Sequence, residues 1–247
     1  MVKKLIPIII ICFNIIVVGV SNAQTEDLDQ TKAKIFLKNE ILNKISSIKS
    51  YETVLLITDY TSKLEDNNYG NVKFEMKYSY PDRLFVNQTA QERTGLVYDR
   101  WISIGNHHYF EINVWYEEPE QEAKYRVHTN NLIKLDKWIH SLEDNEIESI
   151  EEVILDSSPC YKIGFTLKNI NTFVENDIGY KDKVKIKCEL WIDKSSLYII
   201  KALLSSKGID IEGTTVDTSF SQSFKNYNSI ISIEKPKNIN KKLIKYE

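Results

Sequence analysis

From Tyr51 onward the hydrophobic period of this chain is two, and that alternation limits the fold more than any other feature. In Val72-Lys73-Phe74-Glu75-Met76-Lys77-Tyr78-Ser79-Tyr80, the apolar side chains Val72, Phe74, Met76, Tyr78 and Tyr80 share one side. Lys73, Glu75 and Lys77 share the other. This is the pattern of an antiparallel strand with one dry and one wet face. Pro81-Asp82 interrupts the run, because proline cannot donate to a strand ladder. The same periodicity predicts strands over 53–60, 84–89, 95–104 and 107–112, and then over 147–155, 161–167, 183–192, 198–206, 214–220 and 230–233. An acidic loop, Glu117-Glu118-Pro119-Glu120, separates the two groups.

Helical spacing occurs in two places. Ile35, Leu37, Ile41, Leu42, Ile45 and Ile48 recur through 32–49, and Leu132, Leu135, Trp138, Ile139 and Leu142 form one stripe through 130–143. A long antiparallel meander twists and curls toward a barrel, and two helices against its concave side would supply a second layer. The expected fold is therefore α+β: a strongly curved antiparallel sheet forming an open half-barrel, covered by two or more amphipathic helices.

The N-terminus sets the compartment. Lys3 and Lys4 precede an apolar run over 5–20, and Ser21-Asn22-Ala23 follows. A basic start, an apolar middle and small residues at positions −3 and −1 make a secretory signal, cleaved after Ala23. The alternative is an uncleaved segment anchoring the chain in a membrane. The run is short for a span and is broken by Pro7 and Asn14, which favours cleavage. Cys12 follows Ile11 and has more apolar chain after it, so it does not suit lipidation. The expected division is a signal peptide over 1–23, one domain over 24–236 and a frayed Lys-rich tail over 237–247, the domain lying in the periplasm or outside the cell.

Loss of Lys3 and Lys4 takes the net charge from −3 to −5, which gives no long-range attraction to nucleic acid. Cys160 and Cys188 remain in a compartment that permits disulfides. Alternation places Tyr161, Ile163 and Phe165 on the same face as Cys188, Leu190 and Ile192, so Cys160 points the other way. A bulge would be needed to pair the two cysteines.

Motifs for chemistry are sparse. Adjacent strand residues face opposite ways, so His107-His108 does not suit a shared metal ion, and Asn106-His107-His108 reads as a hairpin turn. No Gly-x-Ser-x-Gly elbow, dinucleotide fingerprint or Walker-type loop occurs. The acids of 117–122 and 143–152 lie in charge-rich segments rather than apolar ones. Nothing in these motifs calls for an enzyme, a metal or a cofactor.

A family resemblance rests on a succession of segments. Tyr80-Pro81-Asp82-Arg83-Leu84 follows an alternating strand. Tyr98-Asp99, Ile104-Gly105 and Tyr109 come next, then Leu190-Trp191-Ile192-Asp193-Lys194 before Tyr198-Ile199-Ile200-Lys201. Phe224-Lys225-Asn226-Tyr227-Asn228 precedes Ile233-Glu234-Lys235-Pro236. This order resembles the LolA/LppX/LprG superfamily of exported lipoprotein-sorting and lipid-carrier proteins. The resemblance covers most of 51–236 and implies an unclosed barrel under helices whose apolar interior takes acyl chains. The chain departs from the lipid-anchored branches in having Ala23-Gln24 rather than a cysteine at the cleavage site.

The implied function is that of a non-enzymatic carrier or chaperone, a monomer that binds lipid or lipidated protein and makes transient contact with a membrane or a membrane-bound donor or acceptor. Strand parity and the helix stripe nominate Leu56, Phe74, Met76, Tyr78, Leu84, Val86, Tyr98, Ile102, Ile104, Trp138, Leu190 and Ile192 as its groove lining. The rival readings are an envelope protein-interaction or stress-sensing module of the same fold and, more remotely, a secreted hydrolase.

Overall fold

The computed structural model describes residues 23–61, 71–92, 95–119, 134–167, 186–209 and 215–240. Residues 1–22 of the signal segment, 130–133 of the expected second helix, 183–185 and 214 of two expected strands and the last seven residues lie outside them. No helix among the described residues is long and apolar enough to cross a membrane.

Helix α1 spans Ala23–Ile45 and leads through a turn into β1 (Ser50–Thr61). It stops short of the expected 49, because Ser46 and Ser47 turn their hydroxyls back onto the carbonyls of Asn43 and Lys44 and compete with helical bonding there. Strands β2 (Asn71–Ser79), β3 (Arg83–Glu92), β4 (Gly95–Ile104), β5 (His107–Ile112) and β6 (Val114–Glu118) follow as hairpins. Helix α2 (Leu135–Asp144) precedes β7 (Ser149–Leu155), β8 (Ser158–Thr166), β9 (Ile186–Asp193), β10 (Ile199–Ile209) and β11 (Thr215–Lys225).

All eleven strands form one antiparallel sheet in the order β6-β5-β4-β3-β2-β1-β11-β10-β9-β8-β7. Two meanders thus run outward from a central β1–β11 seam, which pairs ten residue couples from Glu52↔Lys225 to Thr61↔Val216. The sheet is not closed: β6 and β7 are its edges, and α2 lies between those edges in sequence. The fold expected from the periodicity is the one observed.

The concave face holds the main core. Its rows include Tyr51 and Leu55 of β1, Phe74, Met76 and Tyr78 of β2, Leu84 and Val86 of β3, Trp101 of β4 and Phe110 of β5. Phe224, Leu204, Leu190, Cys188, Ile163 and Phe165 continue it across the other half. Ile41 and Ile45 of α1 and Leu135, Trp138 and Leu142 of α2 pack into the same cluster. Each such fully buried side chain contributes about 1.5–3 kcal/mol. Ile35, assigned to the apolar stripe of α1, is instead 55% exposed beside an exposed Phe36.

Two segments differ from expectation. The acidic stretch starting at Glu117 belongs in part to β6, where Glu117 pairs with Tyr109 and Glu118 with His108. Residues 230–233 form no strand. They begin a strap that crosses the convex face, where Arg83 donates to the Ile233 carbonyl at 3.0 Å and the Asn240 amide donates to the Trp115 carbonyl at 2.8 Å. Ile231, Ile233 and Ile239 pack there against Phe85, Ile102, Ile104, Tyr109 and Trp115. The first residues of the expected frayed tail are therefore held down. The turn between β4 and β5 is Gly105-Asn106, with Gly105 at φ +56°, so His107 and His108 belong to β5 rather than to the turn.

Candidate functional site

The site with the most distinctive construction is the junction of α2 with the concave face. Apolar packing and one buried hydrogen bond hold the middle of the helix, and polar bonds hold both ends. At its start the Leu135 amide donates to the Tyr51 hydroxyl at 3.0 Å. Lys134 occupies the N-cap position without a side-chain cap bond, so a strand tyrosine takes the role usually filled by a Ser or Asp. The Tyr80 hydroxyl donates to Asp136 at 3.2 Å, and the Lys134 ammonium stands 5.7 Å above the Tyr78 ring. At the other end Lys38 of α1 donates to the carbonyls of Glu143 and Asn145, at 2.7 and 3.0 Å. A cation beside the last carbonyls suits the helix dipole.

A buried polar chain fastens the middle. Trp138 Nε1 donates to Gln222 Oε1 at 2.6 Å, Gln222 Nε2 donates to Thr53 Oγ1 at 3.0 Å, and Thr53 donates to the Ser223 carbonyl at 2.7 Å. Gln222 is 1% exposed, a position at which an amide needs its partners. The chain ties α2 to the β1–β11 seam. Burial raises the Tyr51 hydroxyl well above the ordinary tyrosine range and brings Tyr78 to about 12. Desolvation lowers the Lys134 ammonium.

The nominated lining residues divide between the two faces. Phe74, Met76, Tyr78, Leu84, Val86, Trp138, Leu190 and Ile192 meet in the concave cluster. Leu56, Tyr98, Ile102 and Ile104 do not. Leu56 pairs with Lys73 and Ser221 on the convex face and is 42% exposed; Tyr98, also convex, is 63% exposed. Ile102 and Ile104 belong to the convex cluster under the strap. The error has a physical source. Val54-Leu55-Leu56-Ile57 and Trp101-Ile102 are apolar on both parities, and at Trp101-Ile102 both faces of β4 are covered, so alternation alone does not choose. Trp101, Phe110, Tyr51, Phe224 and Gln222 share the concave face with the first group but were not nominated. The Ser/non-Ser alternation of Ser219-Phe220-Ser221-Gln222-Ser223-Phe224 would have found the last two.

Cys160 lies on the convex side, paired with Asp193, and Cys188 on the concave side, paired with Phe165. Both are free, as alternation argued. His107 bonds Glu117 on the convex face at 2.8 Å, and His108 bonds Ser103 on the concave face at 3.0 Å. Ser103, His108 and Glu118 thus form a Ser-His-Glu row across β4, β5 and β6. Ser103 sits inside the ladder between β3 and β5, so its own amide serves the sheet and not an oxyanion. Among the described residues, no group of three or more His, Cys, Asp or Glu is placed to hold a metal ion.

A cleft of about 520 Å³ lies on the convex side, lined by Glu52, Val54, Glu75, Lys77, Phe85, Asn87, Tyr98, Arg100 and Lys225 among others. Its charges pair with one another or with neighbours: Glu52 lies 3.5 Å from Lys77 and 3.9 Å from Lys225, Glu75 lies 2.6 Å from Lys73, and Arg100 lies 2.5 Å from Glu111. Hydrogen bonds from Lys73 and Asn87 hold the Glu75 carboxyl below its usual range.

No family model matches the chain, and no curated protein matches it in sequence. Its architecture is similar to solved structures. Lipoprotein LppX of Mycobacterium tuberculosis superposes with a TM-score of 0.52 at 10% identity, over 82% of this chain and 99% of that one. LprF of Mycobacterium bovis gives 0.49 at 11% identity, over 83% and 97%. A LolA superfamily protein of Nitrosomonas europaea gives 0.28 at 9% identity, over 79% and 94%. The first of these shows a shared fold: the chain has the open half-barrel fold of LppX.

Proposed function

We propose that this protein is an exported, non-enzymatic carrier that takes the acyl chains of lipids or lipidated proteins between the concave face of its sheet and α2. The observation that carries the reading is how the concavity is filled. An unclosed sheet with Trp101, Phe74 and Phe110 on its inner face is plugged in part by one ten-residue helix, and the polar fastenings of that helix are single side-chain hydrogen bonds to Tyr51, Gln222 and Lys38 rather than a strand ladder. Displacing α2 would expose a continuous apolar surface without breaking a strand pair. An acyl chain entering there gains about 0.8 kcal/mol per buried methylene, which offsets the apolar burial that the helix gives up as it moves. In this reading the described geometry is the closed form.

The likeness to a protein named as a lipoprotein, LppX, and the segment order noted in the sequence support the same reading. Cleavage after Ala23 would leave this carrier free to diffuse, whereas retention of 1–23 would tether it. Native mass spectrometry of the protein purified from its own export route tests the proposal. Co-purifying lipid, or saturable uptake of a fluorescent acyl probe, is the expected result. A ligand-free protein that takes up neither acyl probe nor lipidated peptide would overturn it and favour the protein-interaction module.

A further inference from the structure

The concave core contains one group that folding alone leaves unexplained. Trp101 is 6% exposed, and its Nε1–H has no hydrogen-bond partner among the described residues. Its cross-strand neighbours are Val86 on β3 and Phe110 on β5, and the Phe74 ring stands edge-on with centroids 6.4 Å apart. None of these side chains offers a lone pair. Indole nitrogen is a donor only, and a buried donor without an acceptor costs the fold its desolvation free energy. Trp138 shows the contrast within the same core, since its indole N–H is satisfied by Gln222 at 2.6 Å. A phenylalanine at 101 would keep an aromatic ring in the wall, with less volume and without that penalty.

The geometry points to Trp101 as the polar anchor of the acyl site: its indole N–H donates to the carbonyl oxygen of an ester- or amide-linked acyl chain. This deepens the carrier reading and rests on it. A hydrocarbon tail by itself gives an apolar groove no orientation, because apolar attraction is non-directional. One fixed donor in an otherwise apolar wall sets which end of the chain lies where, as the few polar groups of small-molecule pockets do. The ligand class that follows is a carbonyl-bearing acyl chain, in preference to an ether-linked or unsubstituted alkyl chain of equal length. An acceptor arriving with the ligand gains the full value of the unmet bond, since burial has already stripped that N–H of water.

The test is competition against a fluorescent acyl probe on the full exported protein, using methyl palmitate and the hexadecyl methyl ether of matched length. Wild type should bind the ester about tenfold more tightly than the ether, equivalent to about 1.4 kcal/mol. Trp101→Phe should bind both equally, at the level of the ether. In ¹⁵N-indole spectra the Trp101 signal should move downfield with the ester and not with the ether. If wild type does not distinguish ester from ether, or if Trp101→Phe keeps the distinction, the anchor assignment is overturned while the carrier reading stands. If neither competitor displaces probe because no probe binds, it is the carrier reading that fails. Should Trp101→Phe not fold, the wild-type ratio and the indole shift still decide.

Discussion

On its concave face the sheet is dried by helices, and on part of its convex face by a strap of irregular chain. The concave rows run across β5, β4, β3, β2, β1, β11, β10, β9 and β8 and meet Ile41, Trp138 and Leu142 in one continuous cluster. The convex cluster is confined to β3–β6, where Ile102, Tyr109 and Ile233 are its buried members. Over β1, β2 and β11 the convex face is wet, carrying Lys73, Glu75, Lys77 and Lys225. The comparison separates two jobs. The large core is closed by helix α2, which polar bonds fasten at both ends, whereas the small core is closed by chain that caps the sheet near its β6 edge. The helix that closes the large core is the element the proposed carrier would have to displace to admit an acyl chain.

The largest test of this contrast is Trp138→Ala. The residue is 1% exposed and bonded to Gln222, so the change opens a cavity and strands a buried amide. A loss of about 3–5 kcal/mol in urea unfolding is expected. A loss below about 1 kcal/mol would mean that α2 is not gripped by the core. Ile233→Ala makes the matching cut on the convex side. That cluster is small and can relax, so about 2 kcal/mol is expected, the low end for such a truncation. Acyl-probe binding should be unchanged in this variant; weakened binding would show that the two faces are coupled.

The contrast also explains what could be read in the sequence. The bounds of β4 and β5 were legible to the residue, and in β2 the inward face was legible as well, because Lys73, Glu75 and Lys77 mark the wet side without ambiguity. Four of the twelve nominated lining residues fell on the other face, where β1 and β4 offer apolar side chains on both parities. In β1 the reason is its central place in the sheet. In β4 it is the strap, whose covering of Ile102 is a long-range fact that a local period does not record. The polar fastenings of α2 were invisible for the same reason. Tyr51 to Leu135, Lys38 to Glu143 and Trp138 to Gln222 each join residues at least 84 positions apart.

Tyr51→Phe tests one of those fastenings. It leaves the Leu135 amide without an acceptor, and about 1 kcal/mol of stability should disappear at neutral pH. Its effect in alkali has the opposite sense. Tyr51, Tyr78 and Tyr227 have hydroxyls whose pKa is raised above the unfolded value of 10.0, chiefly by desolvation. Both states are neutral below pH 10, so their contribution is constant there. As pH rises past 10 the unfolded chain ionises first and stability falls. Removing the Tyr51 hydroxyl should therefore make the decline above pH 10 shallower. Parallel declines in wild type and variant would show that Tyr51 does not contribute to it.

The finest test lies between two adjacent leucines. Leu55 is 2% exposed on the concave face and Leu56 is 42% exposed on the convex face, although nothing in Val54-Leu55-Leu56-Ile57 distinguishes them by composition. Leu56 stands directly across from Lys73 and Ser221, so a glutamate there remains in water with a cation opposite it. Leu56→Glu should change stability by no more than about 0.5 kcal/mol, the usual range for a surface site, and should leave acyl uptake intact. The same substitution one residue earlier would bury a carboxylate against Phe74, its partner across β2, and the chain should not fold. A register slip of one residue in β1 would exchange these outcomes, because it turns every side chain of the strand to the other face. The pair of variants therefore reads the register of the central seam directly, and with it the assignment of the whole concave surface.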